Sequence, residues 1–442
     1  MKRFSLVLAG LLTPALLSAQ LPDPSTRALG MGNAYTSLAR GYEAVAWNPA
    51  MLAAWGRPFF TIGLPHVNVE FGSNSFGFSD VRKYANSYLT TADKQTLLDK
   101  ITGSDLSIRS LLGAAPFGLS VGPFALMVGA SGEMDAGLSK DAVRLALMGN
   151  PSANGSFSAA GSNGRAWAAT TAAGSFALPF SLPVGRLSVG ATYKYVIGNF
   201  LGTATDLGSQ LAFTPLFSAN ESGQALYTNY ATGCSFTPTG TGPCGGQAGK
   251  GYGVDLGAAL QLGHGTMTLS AVVVNALGSM TWDASRLAYD RTVRQSTQNP
   301  DGSVTDTTLS SVSYQDQASI QSDPRARALS DSLLANADFA RLARVGFALH
   351  RGLLTLSAQG QLRLKAGLDQ QSSQLLAVGA EYRLLGILPL RVGAQSDFAG
   401  ATVLSAGTGL QLLGINLDVS AANISGTTQP GVRLGVGVGL IF

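Results

Sequence analysis

The C-terminal stretch from Val345 to Phe442 constrains this chain most, because its apolar residues fall at every second position. Between Leu353 and Lys365, Leu354, Leu356, Ala358, Leu362 and Leu364 hold one parity. Thr355, Ser357, Gln359, Gln361, Arg363 and Lys365 hold the other. Successive side chains of a strand point to opposite faces, so period two is a strand signature. The pattern returns after each short break. Leu376, Val378, Ala380, Tyr382 and Leu384 oppose Glu381 and Arg383; Leu390, Val392, Ala394 and Phe398 oppose Arg391, Gln395 and Asp397. Ile415, Leu417 and Val419 oppose Asn416, Asp418 and Ser420, and Val432 to Phe442 closes the series with Arg433 and three glycines on the second parity.

A soluble sandwich also alternates. Two features favour a membrane. Each strand is about ten residues long, enough for a tilted strand to cross a bilayer, and very short links join them at one end, as in an up-and-down meander. The expected fold is therefore all-β: a transmembrane antiparallel barrel of about fourteen strands with short turns at one end and long loops at the other. The terminal aromatic, Phe442, resembles the C-terminal signal that the barrel-assembly machinery of the bacterial outer membrane recognises.

Composition agrees. Charged residues are 12% of the chain while hydrophobic residues are 45%; a wall facing lipid needs few charges, and soluble proteins carry about twice that charged share. The 55 glycines suit tight turns and an interior that must admit other chain. The formal charge of +4 falls to about +2 without Lys2 and Arg3, and no basic stripe suggests a nucleic-acid partner. Residues 1–19 read as a secretory signal: Lys2-Arg3, an apolar run from Phe4 to Leu17, then Leu17-Ser18-Ala19. Beyond them no apolar run is long enough for a spanning helix, although mean hydropathy is +0.20. The expected location is thus the bacterial outer membrane. Cys234 and Cys244 lie in a Gly/Thr/Pro-rich stretch. Export favours one disulfide closing a surface loop, worth about 3 kcal/mol at most, with two free thiols as the alternative.

Residues 20–57 differ from the rest. After Leu21-Pro22-Asp23-Pro24 come Arg27-Ala28-Leu29-Gly30-Met31-Gly32-Asn33-Ala34-Tyr35 and then Trp47-Asn48-Pro49-Ala50. This pattern resembles the N-terminal hatch of FadL-like long-chain fatty-acid transporters and of the related PorV-like proteins of the type IX secretion system. The resemblance implies a barrel over 58–442 with an N-terminal plug in its lumen, and a plug motif formed by Gly30, Gly32, Asn48, Pro49 and Ala50. A barrel this wide has a lumen that strand side chains alone do not fill. Asn-Pro by itself is only a turn starter. Long loops are expected near 79–106, 141–164, 202–249 and 287–342, the last containing a short helix after Asp323-Pro324. Pro65 suggests a kink or break in the first strand.

No catalytic constellation emerges. His66, His264 and His350 are scattered, and Gly118-Leu119-Ser120-Val121-Gly122 has the nucleophile-elbow spacing but precedes Pro123 and a strand rather than a helix. Gly30-Met31-Gly32 lacks the rest of a dinucleotide loop. No enzyme activity, cofactor or metal is expected. Arg186, Lys194, Asp255, Arg363, Lys365, Glu381, Arg383, Arg391, Asp397, Asp418 and Arg433 mostly share the inner parity, as a lumen-facing ion-pair network holding the plug would require; charge on the lipid face is costly. Passive uptake of hydrophobic compounds such as long-chain fatty acids is the expected function. Its alternative is a PorV-like barrel that docks a secreted protein or a translocon subunit.

Overall fold

The computed structural model describes residues 25–84, 87–101, 103–149, 155–214, 216–228, 247–335, 337–368, 374–426 and 429–442. The expected signal sequence and both cysteines of the expected disulfide lie outside these residues. The strands are β1 (Phe60–Ser73), β2 (Asp105–Val121), β3 (Phe124–Ser139), β4 (Ser156–Ser158), β5 (Asn163–Leu182), β6 (Gly185–Asp206) and β7 (Gln210–Thr214). They continue with β8 (Leu216–Thr228), β9 (Gly249–Leu262), β10 (Met267–Trp282), β11 (Leu287–Gln298), β12 (Val304–Tyr314) and β13 (Arg341–Arg351). The last six are β14 (Leu354–Lys365), β15 (Gln374–Leu384), β16 (Leu388–Ser396), β17 (Thr402–Leu412), β18 (Ile415–Ser425) and β19 (Gly431–Ile441).

Fourteen of these strands form one closed antiparallel ring. Each pairs with the next in the order β1, β2, β3, β5, β6, β9, β10 and β13 to β19, and β19 returns to β1 through pairs such as Val436↔Val67. Closure leaves no edge strand in the ring, as a wall facing lipid requires. The alternating parity becomes two faces. Leu269, Val345, Leu356, Val378, Val392, Leu404, Leu417, Val419, Leu434 and Val436 are exposed and form an outward apolar belt. Inward neighbours such as Gln359, Glu381, Arg391, Ser405 and Ser420 are buried.

Strand lengths set the shape at the long-loop end. β5 and β6 have 20 and 22 residues and outrun β9, so Gly202–Asp206 pairs instead with β8. β8 pairs with β7 and β11, and β11 with β12. The expected 202–249 loop is therefore corrected: it includes the end of β6 together with β7 and β8. Similarly, 79–106 contains helices Phe78–Tyr84 and Thr91–Asp99 and the start of β2, while 141–164 contains most of helix Lys140–Met148 and the beginning of β5. The helix expected after Asp323, from the pattern of residues up to Arg344, is Pro324–Ala335 and ends earlier, because β13 begins at Arg341.

At Pro65 the first strand is irregular and not broken: β1 continues from Phe60 to Ser73 and keeps its register with β2. On the β19 side the register shifts between Gly63 and His66, and β2 shifts against β3 between Ala114 and Phe117, around Pro116. A proline cannot donate to a ladder, and the two defects lie in neighbouring strands because His66 pairs with Ala115.

Candidate functional site: the luminal segment and its seat

Residues 25–54 lie inside the ring. Ala28, Met31, Tyr35, Leu38, Val45, Trp47, Ala50, Met51 and Leu52 are nearly all inaccessible and form one apolar cluster with inward Ala115, Met127, Ala173, Ala177, Ala259 and Ala348. The segment is short helical pieces: Thr26–Gly30, capped by Ser25 Oγ accepting from the Ala28 amide, then Gly41–Glu43, Ala44–Trp47 and Pro49–Ala53. Short pieces leave many backbone groups without intrahelical partners. The wall supplies them. Gln359 Oε1 accepts from the amides of Tyr35 (3.2 Å) and Thr36 (3.0 Å). Ser405 Oγ accepts from the Gly32 amide at 2.9 Å, Ser420 Oγ donates to Thr26 O at 2.7 Å, and Ser188 Oγ donates to Ala53 O at 3.1 Å. Ser37 and Ser270 hydroxyls meet at 2.8 Å.

The residues of the Asn-Pro-Ala motif have a specific seat. Asn48 is fully buried; its Oδ1 accepts from the Ala50 amide at 3.1 Å, capping the 3₁₀ turn that Pro49 begins, and its Nδ2 donates to Ala258 O at 3.3 Å. Pro at the first helical position costs no hydrogen bond. Opposite them Gly190 and Gly257 face each other across β6 and β9. A Cβ on Gly190 would come within 2.6 Å of the Ala50 amide nitrogen, and one on Gly257 would overlap the Asn48 side chain. A second opposed pair, Gly379 and Gly393, receives Met31 and Gly32 in the same manner. Gly32 has φ +63° and lies against the backbone of Ala394, while Gly30 crosses Gly407 and Ser420. All five residues of the expected plug motif thus touch the wall. Tyr42, which sequence reasoning did not single out, lies against Gly63 and Gly118. Its hydroxyl meets His66 Nε2 at 3.0 Å, and His66 Nδ1 lies 2.7 Å from Leu64 O, beside Pro65.

The inward charges form pairs. Glu381, with no exposed surface, accepts from Arg27 Nε at 2.8 Å and Nη2 at 2.9 Å, from Arg391 Nε at 2.8 Å and from Arg383 Nε at 3.2 Å. Arg391 continues to Asp418 at 2.5 Å. Arg27 thereby ties the luminal segment to β15, β16 and β18. Ser25 and Tyr35 both donate to Glu43 at 2.6 Å, bracing the segment internally. Other pairs, Lys194 with Asp255 at 2.6 Å, Arg109 with Glu133 at 2.6 Å and Arg433 Nε with Glu70 at 2.7 Å, link neighbouring wall strands nearer the long loops. Arg186 lies at the short-turn end, opposite Ser181 in the β5–β6 hairpin. Arg344 stacks over Trp47 at 5.1 Å.

Above the segment sits a second apolar cluster, with Trp167, Val196, Leu201, Met280, Trp282, Tyr289, Leu333 and Phe339. Trp282 Nε1 donates to Ala337 O at 2.8 Å. Lys365 reaches Asp338 at 2.5 Å in the connection over this cluster. Burial raises the Asp338 carboxyl, but Lys365 and the amides of Phe339 and Met280 outweigh it and hold the group below its ordinary value. Among the described residues no group of three or more His, Cys, Asp or Glu is arranged to hold a metal. The nucleophile-elbow match is the last stretch of β2, with only Gly122 in the turn that follows, and Ser120 Oγ is bonded to Thr61 Oγ1 at 2.6 Å. Phe442 ends the chain on β19, its amide donating to Phe60 O at 2.9 Å and its ring 6.2 Å from that of Phe60.

The chain is similar in extent to several solved structures at low identity. The crystal structure of a Pseudomonas aeruginosa FadL homologue is 12% identical, covering 97% of this chain and 100% of that one, with a TM-score of 0.46. For the CymD monoaromatic hydrocarbon channel these values are 11%, 96%, 98% and 0.48. For the P. putida toluene transporter TodX they are 12%, 97%, 99% and 0.42. No curated protein matches the chain. A model of a family of unknown function, DUF5723, matches residues 49–385, more than half of the sequence, and the chain belongs to that family.

Proposed function

We propose that this barrel resides in the bacterial outer membrane and admits hydrophobic compounds, long-chain fatty acids among them, past its own luminal segment. One observation carries the reading: the chain inside the ring packs as an apolar cluster around Trp47, and a second apolar cluster around Trp167 and Trp282 lies at the long-loop end, where an aqueous porin keeps a polar channel. An apolar solute gains from such an interior, whereas an ion or sugar loses hydration in it. The luminal segment is held by non-covalent contacts that can separate one by one, with Asn48, Pro49 and Ala50 as its seat on β6 and β9. Its displacement is the opening step. The irregularity at Pro65 and Pro116 supplies a weak point in the wall through which an apolar solute leaves sideways into lipid. No cofactor or energy coupling is required, since partitioning down a gradient suffices. The resemblance of the Arg27–Tyr35 and Trp47–Ala50 stretches to FadL-like proteins agrees with this reading. Recognition by the barrel-assembly machinery through Phe442 belongs to it too.

A second reading rests on the β7, β8, β11 and β12 sheet beyond the bilayer: a PorV-like barrel that docks a secreted protein or translocon subunit there and conducts nothing. The test is native mass spectrometry with lipid extraction on the barrel in mild detergent, beside an Asn48→Ala, Pro49→Ala variant. Co-purifying fatty acids or hydrocarbons whose occupancy changes with the variant support uptake. An empty barrel carrying a stoichiometric protein partner overturns uptake and favours docking.

A further inference from the structure

The short-turn end carries leucine where a turn in water would carry something else. Between β15 and β16 the tip is Leu385-Gly386, with φ of +54° and +76°; between β17 and β18 it is Leu413-Gly414, with φ of +51° and +83°. Positive φ at two consecutive turn residues is the hairpin geometry that favours Asn-Gly, Asp-Gly or Gly-Gly, and a bulky side chain there is an outlier. Leu385 is 80% exposed and Leu413 88% exposed. Val184, at the tip between β5 and β6, is 70% exposed, and Phe59 and Phe442 are exposed at the same end.

These side chains continue the outward belt without a polar interval. Leu384, Leu385 and Ile387 follow one another along one hairpin, and Leu412, Leu413 and Ile415 along the next, all of them exposed. Two leucines in strained positions, each nearly as bare as in a free peptide, are not turn chemistry for water. The charges of this rim are of one sign. Arg351 is exposed and Arg57, Arg186 and Arg383 are partly exposed, whereas Glu381 and Asp418 are buried and taken up by internal arginines. Trp55, ending the luminal segment, stacks on His264 of the β9–β10 turn at 5.4 Å; amphipathic rings favour the level of lipid headgroups.

We propose that the short-turn rim is itself a lipid-contacting surface. The leucine and valine tips sit in the headgroup and acyl boundary of the leaflet at that end, and the rim arginines meet lipid phosphates. The occupant is lipid because the rim is continuous with the belt that lipid already covers and because the exposed and partly exposed charges of the rim are arginines, which complement anionic headgroups. The lumen's short-turn mouth then opens at a membrane surface and not into bulk water. This inference depends on the barrel spanning a bilayer and not on what passes through it.

The experiment places a nitroxide at Leu385→Cys, Leu413→Cys and, as an outer control, Asn299→Cys, each in a Cys234→Ser, Cys244→Ser background. The full-length barrel is reconstituted into vesicles of phosphatidylcholine and phosphatidylglycerol with no other protein. Collision rates with oxygen, which concentrates in the bilayer, and with a water-soluble nickel complex then read depth. The expected result is a ratio favouring oxygen at 385 and 413 and favouring nickel at 299. A nickel-favouring ratio at both tips, equal to that at 299, overturns the proposal; no protein partner is present to shield the labels. Should either leucine variant fail to insert, Val184→Cys reads the same rim with the same two outcomes.

Discussion

Replacing Glu381 with glutamine tests what fixes the luminal segment. The substitution keeps shape and volume but removes the charge that Arg27, Arg383 and Arg391 share. Arg391 retains Asp418 and Arg383 is partly exposed, so the group left stranded is Arg27. Its remaining contacts are the Tyr35 hydroxyl at 3.5 Å and the Tyr35 ring at 5.6 Å. Breaking one partner of a buried ion pair costs about 3–5 kcal/mol. That loss falls on the docked state of the segment and not on the ring, whose strand pairing does not involve Arg27. Hydrogen exchange resolves the difference, because local opening and global unfolding protect different amides. Amides between Ala28 and Ala39 are expected to exchange faster by a factor on the order of 10² to 10³, at 1.4 kcal/mol per tenfold. Amides of β16 to β18 stay as protected as before. The double variant Arg27→Met, Glu381→Gln removes both charges and is expected to recover part of the loss. Unchanged exchange in the segment, or equal loss across ring and segment, refutes the reasoning.

Other outcomes follow from the same geometry. Gly257→Ala drives a methyl group into Asn48 and is expected to loosen residues 44–54 by about 1–3 kcal/mol, read by exchange, while heat-modifiable gel migration still reports a closed barrel. Asn48→Ala removes the cap on the 3₁₀ turn and costs the same stretch about 1 kcal/mol; its exchange should quicken less than in Gly257→Ala. Val419→Arg puts a charge on the lipid-facing belt at a cost of about 2–4 kcal/mol near the midplane, measured by reversible folding into vesicles. For pH, the depressed Asp338 carboxyl contributes stability that is fully present above its ordinary value of 3.8 and is lost as pH falls through its lower folded value. Exchange of the Trp282 indole proton, bonded to Ala337 O, should therefore quicken below about pH 4, and Asp338→Asn should flatten that dependence.

Much of the ring was legible because a wall with lipid on one side and polar or buried chain on the other imposes period two on each strand. The parity of Leu354 to Lys365 or Ile415 to Ser420 reads directly as outside and inside. Pro65 marked an irregularity for the equally local reason that proline removes a donor. The strands β7 and β8 were not legible: β7 is only 5 residues long and β8 has no sustained apolar alternation, so 202–249 reads as loop. The seat of the luminal segment was half legible. Arg391 and Glu381 fall on the inner parity, yet their link to Arg27 spans 354 residues for Glu381, and no periodicity encodes that distance. The abundance of glycine signalled that chain must pass inside. Only the register shows that Gly190 faces Gly257 beneath Asn48 and that Gly379 faces Gly393 beneath Met31. Tyr42 and His66 escaped for the same reason, since each is unremarkable until β1 and the segment are brought together.

The central claim, that hydrophobic compounds pass only when the luminal segment moves, is tested most directly by locking that segment. Ser37 and Ser270 hydroxyls lie 2.8 Å apart across segment and wall, so Ser37→Cys, Ser270→Cys in a Cys234→Ser, Cys244→Ser background provides a reversible tether. The measurement is the initial rate at which a fluorescent long-chain fatty acid crosses vesicles holding the oxidised or the reduced barrel. The account predicts a rate near that of empty vesicles when oxidised and recovery on adding reductant. Equal, barrel-dependent rates in both states would contradict it.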